Sequence, residues 1–573
     1  MVPYPYVSRR TILRTAALGI VGVSTSALLS ACGNLGTTTE STPNSVGTQT
    51  TESSTAGIGP NGMSVQASPS AQTTADTQPP TDSGTFVGLV RNHPQTLDPH
   101  IGADNPTGKF LIATYEPLIR VKPGGTELEP FLAERWEVSP DGTAYSFSLR
   151  ENVKFHDGTT MDASAVKSSI ERMKQIGLGN AWVLEPVEQV RTPDASTVTI
   201  ELAQVHAPFL DSVPLIFIVS EKAVQDHAEG DDLAQGWLKE NEAGTGPYVL
   251  AEWQQGQILR LTKFADYWRG WGGSHFSEII LQLVPEPSTQ RQLMEAGQAD
   301  WADSIGVDDL VAMENSGEFT VIAEPSLSLF WAMMNTHRPP LDNVTVRRAM
   351  RYAFDYESLV NNIMKGMGRV ARGYLPPQYA AHDPNIPPEE FDLEKARTLI
   401  SEAGLSDADK TLEMVYFNGT AWQRPASELF ANLLSQLGFT LNLQGVPWAT
   451  MLTKLTEPDQ RPHFALYSAT GSTSSPDSVF GQTFYSQSKH WSVFGYGNPE
   501  VDQLIREARS TLDDDARTAI YHRIQQVLQE DSPGINLLLG TTNHVFRKEI
   551  EGFVMMTFRP DQLNYYDLYR TTT

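Results

Sequence analysis

The chain has 573 residues, 40% of them hydrophobic and 9% aromatic, which is enough for real cores and too much for a wholly disordered polymer. Its 42 Lys and Arg stand against 68 Asp and Glu, a net charge of −26. So acidic a body repels phosphate backbones and anionic lipid surfaces, so nucleic acid is excluded as a partner class. A single cysteine rules out an internal disulfide and a cysteine-rich zinc site.

The N-terminus opens with Ser8-Arg9-Arg10-Thr11 before an apolar stretch from Thr15 to Ser30, which ends in Leu29-Ser30-Ala31-Cys32. Paired arginines ahead of a modest apolar run match a twin-arginine export signal over residues 1–31. The run is too short and too rich in Ala, Gly, Ser and Thr to read as a spanning helix. The only Cys, placed after small residues that follow a Leu, matches a lipobox, and similarity to bacterial lipoprotein signals implies lipidation at Cys32. An ordinary cleaved signal with an incidental cysteine is the alternative. Loss of Arg9, Arg10 and Arg14 with the signal takes the charge from −26 to −29. Residues 32–84 are Ser, Thr, Gly, Pro and Gln with almost no large apolar side chain. Such a stretch cannot bury enough surface to fold and reads as a tether spanning roughly 40 Å.

From Thr85 onward the period of the apolar residues changes along the chain. Thr143 to Arg150 alternates polar and apolar as a half-buried strand does, between the turn dipeptides Asp141-Gly142 and Asp157-Gly158. Asp162 then reads as an N-cap for a helix through Val166, Ile170 and Met173, and Val198, Ile200 and Leu202 alternate again. Helices are expected from Thr345 and from Asp392, the second ended by Gly404. Leu412–Phe417 is expected as a strand, Pro425–Leu437 as a helix, Phe439–Val446 as a strand, Trp448–Leu455 as a short helix and Phe464–Tyr467 as a buried strand. This alternation argues βαβ units on a largely parallel sheet. Helices over Pro499–Leu512 and Asp514–Glu530 follow. Two α/β bodies with no flexible joint between Thr85 and Thr573 point to lobes that share chain crossings.

Motifs of catalysis are absent. There is no HExxH, no histidine pair at ligand spacing on one helix and no GxSxG. Gly366-Met367-Gly368-Arg369-Val370-Ala371 fits a dinucleotide fingerprint only superficially, since it follows a helix where the mechanism needs a strand; it reads as helix termination. Asp513-Asp514-Asp515 reads as a solvated N-cap cluster, with a calcium loop as the alternative. Aromatics crowd the stretch from Tyr416 to Tyr496, and most are expected in the core. Trp422 departs from that pattern, because it sits among Asn418, Gly419, Thr420 and Gln423 between a strand end and a helix start, where α/β sheets bind ligands. Trp448 occupies the same kind of position after Val446-Pro447.

Several stretches together resemble one family, the bacterial extracellular solute-binding proteins, family 5, of dipeptide, oligopeptide and nickel ABC importers. These are Leu97-Asp98-Pro99-His100 with Tyr115-Glu116-Pro117-Leu118-Ile119, the run from Pro130 to Gly142 continued by Val153 to Gly158, Gly244-Thr245-Gly246-Pro247-Tyr248 with Asp266-Tyr267-Trp268, Val346 to Ala349, Phe391 to Gly404, and Asn498 to Asp502. The resemblance implies an α/β, two-lobe periplasmic-binding-protein-like fold of type II with an additional subdomain. The expected N-terminal lobe is 85–323 plus 536–573, with 116–205 as the inserted subdomain, and the second lobe is 324–535. Crossings are placed near Ala323–Leu329 and Ile535–Gly540.

The resemblance further implies a monomeric, non-enzymatic receptor without cofactor or metal. It would be lipid-anchored at the outer face of the cell membrane or in the periplasm, capture a peptide or similar solute by hinge closure, and deliver it to the permease subunits. For ligand contacts it offers Trp448 and Arg424, the latter with a solvated helix-start arginine as the alternative, beside the Trp422 that its strand-end position already marks. Where peptide binders of the family place an Asp for the ligand ammonium ahead of an acid-Pro pair, this chain has Ser472 and Ala469 before Pro476. Asp477 is the possible substitute. That departure puts a free peptide N-terminus in doubt and gives weight to a neutral, aromatic-stacked ligand such as an oligosaccharide. A secreted glycoside hydrolase with paired carboxylates is the competing class.

Overall fold

A computed structural model of the chain describes residues 83–488 and 494–571. The export signal, Cys32 and the tether up to residue 82 lie outside the described residues. Among the described residues, no helix is long and apolar enough to cross a membrane.

The main sheet is mixed and has eleven strands. From one edge it runs through Thr440–Val446, Thr411–Phe417, Phe464–Thr470, Phe319–Met334, Gly534–Arg547, Trp301–Ala302, Thr85–Val90, Glu278–Leu283, Ile258–Lys263 and Tyr248–Gln254, with Arg369–Val370 paired onto Gly534–Arg547. Thr411–Phe417 lies parallel to both of its neighbours, as the alternating strand and helix pattern requires. Helix Gln423–Gln436 follows it, and Trp448–Thr456 follows the edge strand. At the other end Thr85–Val90 runs parallel to both Trp301–Ala302 and Glu278–Leu283, while Glu278–Leu283, Ile258–Lys263 and Tyr248–Gln254 form an antiparallel meander.

Two long strands in the middle carry the sheet from one end to the other. Phe319–Met334 and Gly534–Arg547 are antiparallel partners over most of their length. Side chains alternate along Phe319–Met334 with the period of two that a strand imposes. Leu327, Leu329, Trp331 and Met333 enter one core with Tyr374, Phe484 and Tyr521, whereas Ala332 and Met334 enter another with Phe354, Phe430 and Leu537. The ladder shifts register at two places, a one-residue bulge between the pairs Phe330–Leu538 and Trp331–Asn536 and a wider interruption before it. Between the pairs Pro325–Thr541 and Leu329–Leu539, the residues Ser326, Leu327 and Ser328 stand opposite Gly540 alone. Ser326 Oγ closes the gap by donating to the Gly540 carbonyl at 3.2 Å. Gly540 is required there, because a Cβ on it would meet the Phe330 ring at 2.7 Å.

A separate four-stranded antiparallel sheet, ordered Ala133–Val138, Ala144–Leu149, Thr197–Leu202, Val187–Asp194, stands beside the main one. Tyr145, Phe147 and Leu149 share its core with Val198, Ile200 and Leu202 and with Val166, Ile170 and Met173 of helix Ala163–Ile176. Asp162 caps that helix by accepting from the Ala165 amide, and Gly177, at φ 67°, ends it in the left-handed region that favours glycine. Gly244 and Gly246 pack where the chain meets the end of helix Asn105–Thr114. A Cβ on Gly244 would lie 1.9 Å from the Thr114 carbonyl oxygen.

Gly366 follows the helical segment Leu359–Ile363 at φ +84°, so the glycine-rich run does terminate a helix. Asp513 caps helix Asp514–Asp531 by accepting from the Ala516 amide. No cluster of potential metal ligands occurs among the described residues.

Candidate functional site

The wider interruption in the long ladder opens into a cleft with a cavity volume of about 600 Å³. Ser326, Ser328 and Thr541 to Asn543 form its floor; Phe330, Thr420, Ser468, Gly471 and Ser472 line one side. Arg91, Asp104, Gly108, Leu111, Asp303 and the segment Phe558 to Gln562 line the other. A second, much tighter chamber with a cavity volume of about 80 Å³ adjoins it. The two share the wall formed by Leu215, Phe217, Ser472, Phe558 and Arg559. The second chamber is otherwise apolar along Pro117, Val121, Phe131, Pro214 and Pro247, with Arg120, Lys122 and Arg269 at its rim.

Polar groups in a protein interior are nearly always paired, yet the cleft collects several that are not. Ser472 Oγ, Asn543 Oδ1 and Gln562 Oε1 are buried without a hydrogen-bond partner among the described residues. Arg559 is a half-buried cation with no carboxylate within ion-pair reach among the described residues. Its Nη2 donates to the Pro214 carbonyl at 3.0 Å, and its guanidinium lies 5.1 Å from the Phe217 ring centroid. Burial lowers its pKa to about 10, the direction expected of a desolvated cation without a counter-charge.

The carboxylates nearby are committed. Asp303 is paired with Lys109 at 2.7 Å. Glu116 accepts from Tyr267 Oη, Trp268 Nε1 and Thr245 Oγ1 at 2.8–2.9 Å, and burial still raises its pKa. Asp211, also raised by burial, accepts from Ser474 Oγ.

Of the residues anticipated from sequence, Ser472 alone lines the cleft, and it lines both chambers. Trp422 stands one layer back, edge-on to Phe330 with ring centroids 5.0 Å apart. Arg424 has its side chain 73% exposed and bonds Glu428 one helical turn on, so the solvated alternative describes it. Trp448 is 42% exposed and packs against Phe417 and Tyr467 outside the cleft wall. Asp477 is buried and held by Arg509 through bonds of 2.8 and 3.1 Å, so it is spent on an internal ion pair and not offered to an incoming ammonium.

Arg559 and Gln562 were missed. Nothing in the aperiodic stretch from Gly552 to Leu563 marks them, because a cation's lack of a partner is decided by burial in three dimensions. The weak signal available was Phe558-Arg559-Pro560, an arginine held between a ring and a proline with no acid at helical spacing.

The same fold is found in the periplasmic binding protein DppA from Helicobacter pylori, solved in complex with the peptide STSA. The TM-score is 0.75 at 21% identity, over 85% of this chain and 98% of that one. The chain is therefore a two-lobe periplasmic binding protein in architecture. Residues 127–491 match the family described as Bacterial extracellular solute-binding proteins, family 5 Middle, and the chain belongs to that family, one of solute-binding proteins of ABC importers. It is 30% identical over 471 residues to the probable D,D-dipeptide-binding periplasmic protein DdpA of Escherichia coli (strain K12), covering 80% of this chain and 89% of that protein. The glutathione-binding protein GsiB of Shigella dysenteriae serotype 1 (strain Sd197) is 27% identical over 480 residues, 82% of this chain and 92% of that protein.

Proposed function

We propose that the chain captures a peptide or similar solute in the cleft and delivers it to the permease subunits of an importer, itself leaving the solute unchanged. One observation carries this reading. The floor of the cleft is the interrupted segment of the two long strands, so the place best able to bend is also the place where a ligand sits. On this reading the lobes are 85–323 plus 536–573 and 324–535, with 116–205 as an inserted subdomain, and they close on the ligand about Ser326–Ser328 and Gly540. Closure needs only a ligand that binds the closed state more tightly than the open one. Cys32, lipidated after removal of residues 1–31, and the tether that follows it hold the receptor near the permease.

A neutral oligosaccharide is the second reading. It is favoured by Trp448, which presents an exposed ring lying nearly parallel to Tyr467, with an interplanar angle of 11°.

Mass spectrometry of ligand released from protein purified without denaturation tests both. Peptides support the first reading and glycans the second. Thermal stabilisation and a smaller radius of gyration in the presence of the identified compound are the expected results. Chemical conversion of that compound by the purified protein defeats the receptor reading and supports a hydrolase.

A further inference from the structure

We infer that Arg559 is an anion anchor at the junction of the two chambers, and that it selects ligands carrying a carboxylate beside an apolar group that enters the second chamber. The inference rests on reading the cleft as the ligand site.

Arg559 belongs to the wall shared by both chambers. Its one described hydrogen bond is to a backbone carbonyl, and its one ring contact is with Phe217. A guanidinium has five N–H donors in a planar fork suited to a carboxylate, so most of its capacity is uncommitted. A half-buried cation with no carboxylate partner among the described residues is costly. A fold that keeps one at a cavity junction has a use for its charge that the protein's own groups do not meet. The neighbouring orphan atoms, Ser472 Oγ and Gln562 Oε1, await partners of the kind a polar ligand brings. Beyond Arg559 the wall turns apolar, with Phe217, Phe131 and Pro214 bordering the chamber. An anion bearing only polar groups leaves that surface unused; an apolar group without an anion leaves the guanidinium unpaired.

The test measures binding of three probes to the whole protein by calorimetry: the dipeptide Leu-Phe, its C-terminal amide, and Gly-Gly. The expected order is Leu-Phe above both others, with the acid favoured over the amide by about tenfold to a hundredfold, the weight of hydrogen bonds to a charged group. In Arg559→Met the preference for acid over amide collapses toward unity, while Arg559→Lys retains part of it. The unliganded Arg559→Met protein unfolds at a temperature equal to or above that of the parent, because a desolvated charge has been removed. That readout separates an anchor for ligand from a structural arginine. Equal affinity for acid and amide in the parent, persistence of the preference in Arg559→Met, or a marked loss of stability in unliganded Arg559→Met each overturns the inference. A protein stabilised by maltotriose and by none of the dipeptides also overturns it, yet leaves the receptor reading standing. Stabilisation by no small solute at all removes both.

Discussion

Arg172 grips Asp98 through two parallel hydrogen bonds, Nη1 to Oδ1 at 2.9 Å and Nη2 to Oδ2 at 2.6 Å, with the side chains only 2% and 0% exposed. Arg172 lies on the helix over the small four-stranded sheet, whereas Asp98 belongs to the loop after the Thr85–Val90 strand of the main sheet. The pair rivets one layer to the other. His100 completes it, accepting from Arg172 Nη1 at 2.9 Å on Nδ1 and donating from Nε2 to the Phe217 carbonyl at 3.0 Å. Burial, with the Arg172 charge beside it, lowers the His100 pKa to about 4 and keeps the ring neutral.

Removing one half of this rivet strands a buried charge. Arg172→Met is expected to cost about 3–5 kcal/mol, and the double variant Asp98→Leu, Arg172→Met, which buries no charge, recovers a part of that loss. Urea denaturation of the two variants against the parent measures the difference. Strictly additive losses from the two single substitutions count against this account.

His156 supplies a pH dependence of defined sign. Its Nδ1 faces Glu242 Oε2 at 2.6 Å and its Nε2 faces the Gly246 carbonyl at 2.9 Å, and only the imidazolium donates to both. Burial by itself would lower the pKa, but the Glu242 charge and hydrogen bond, with the Gly246 carbonyl, raise it above the ordinary 6.5. The folded state therefore holds a proton the unfolded chain releases. This contribution to stability is complete below about pH 6.5 and is lost as pH rises through the folded-state value. The difference in unfolding free energy between the parent and His156→Gln should shrink from pH 6 to pH 9. A difference independent of pH rules out the charged pair.

Arg509 and Asp477 make a structural pair, and the two partners should respond differently. Arg509→Met leaves the buried Asp477 carboxylate without its two donors and is expected to destabilise by about 1–3 kcal/mol. Asp477→Asn should leave unchanged the ratio of affinities for a free-amine peptide and its N-acetylated form. Calorimetry with such a pair reads that ratio, and a fall confined to the free amine would return Asp477 to the ligand.

Arg424→Ala is expected to be nearly silent. An exposed, solvent-screened pair one helical turn apart contributes little, and the side chain lines neither chamber. Ligand affinity should match that of the parent within measurement, and a tenfold loss would mean that closure brings this helix start against the ligand.

Local pattern foretold the elements well and the site poorly, and the reason is the range of the information. Asp162, Gly404 and Asp513 act through residues three positions away, so caps and helix bounds were readable; the helix foreseen over Pro425–Leu437 spans Gln423–Gln436. The small sheet was equally plain, since Tyr145, Phe147, Val198 and Ile200 keep a strict period of two into one core. The full extent of Phe319–Met334 was not foreseen, because Glu324 and Pro325 break the pattern midway, and from Leu327 onward both faces are largely covered. Glycines that looked like family signature acquire a cause: Gly244 and Gly246 lie hard against the backbone of residues 113 and 114. Arg559 and Asp477 show the limit from opposite sides. One carried no mark in the sequence and has no carboxylate partner among the described residues; the other looked available and is taken, by an arginine 32 residues further along the chain.

The mismatch of Ser326, Leu327 and Ser328 against Gly540 has a mechanical consequence. A hydrogen-bonded ribbon creased at one line resists twist and shear along the rest of its width and yields cheaply in one direction, as scored card does. Loops and pockets on either bank of the crease are then free to diverge without disturbing that single soft mode. Exchanging Gly540 for a bulkier residue should stiffen the crease and, through the Phe330 ring that it meets, shift the cleft wall as well.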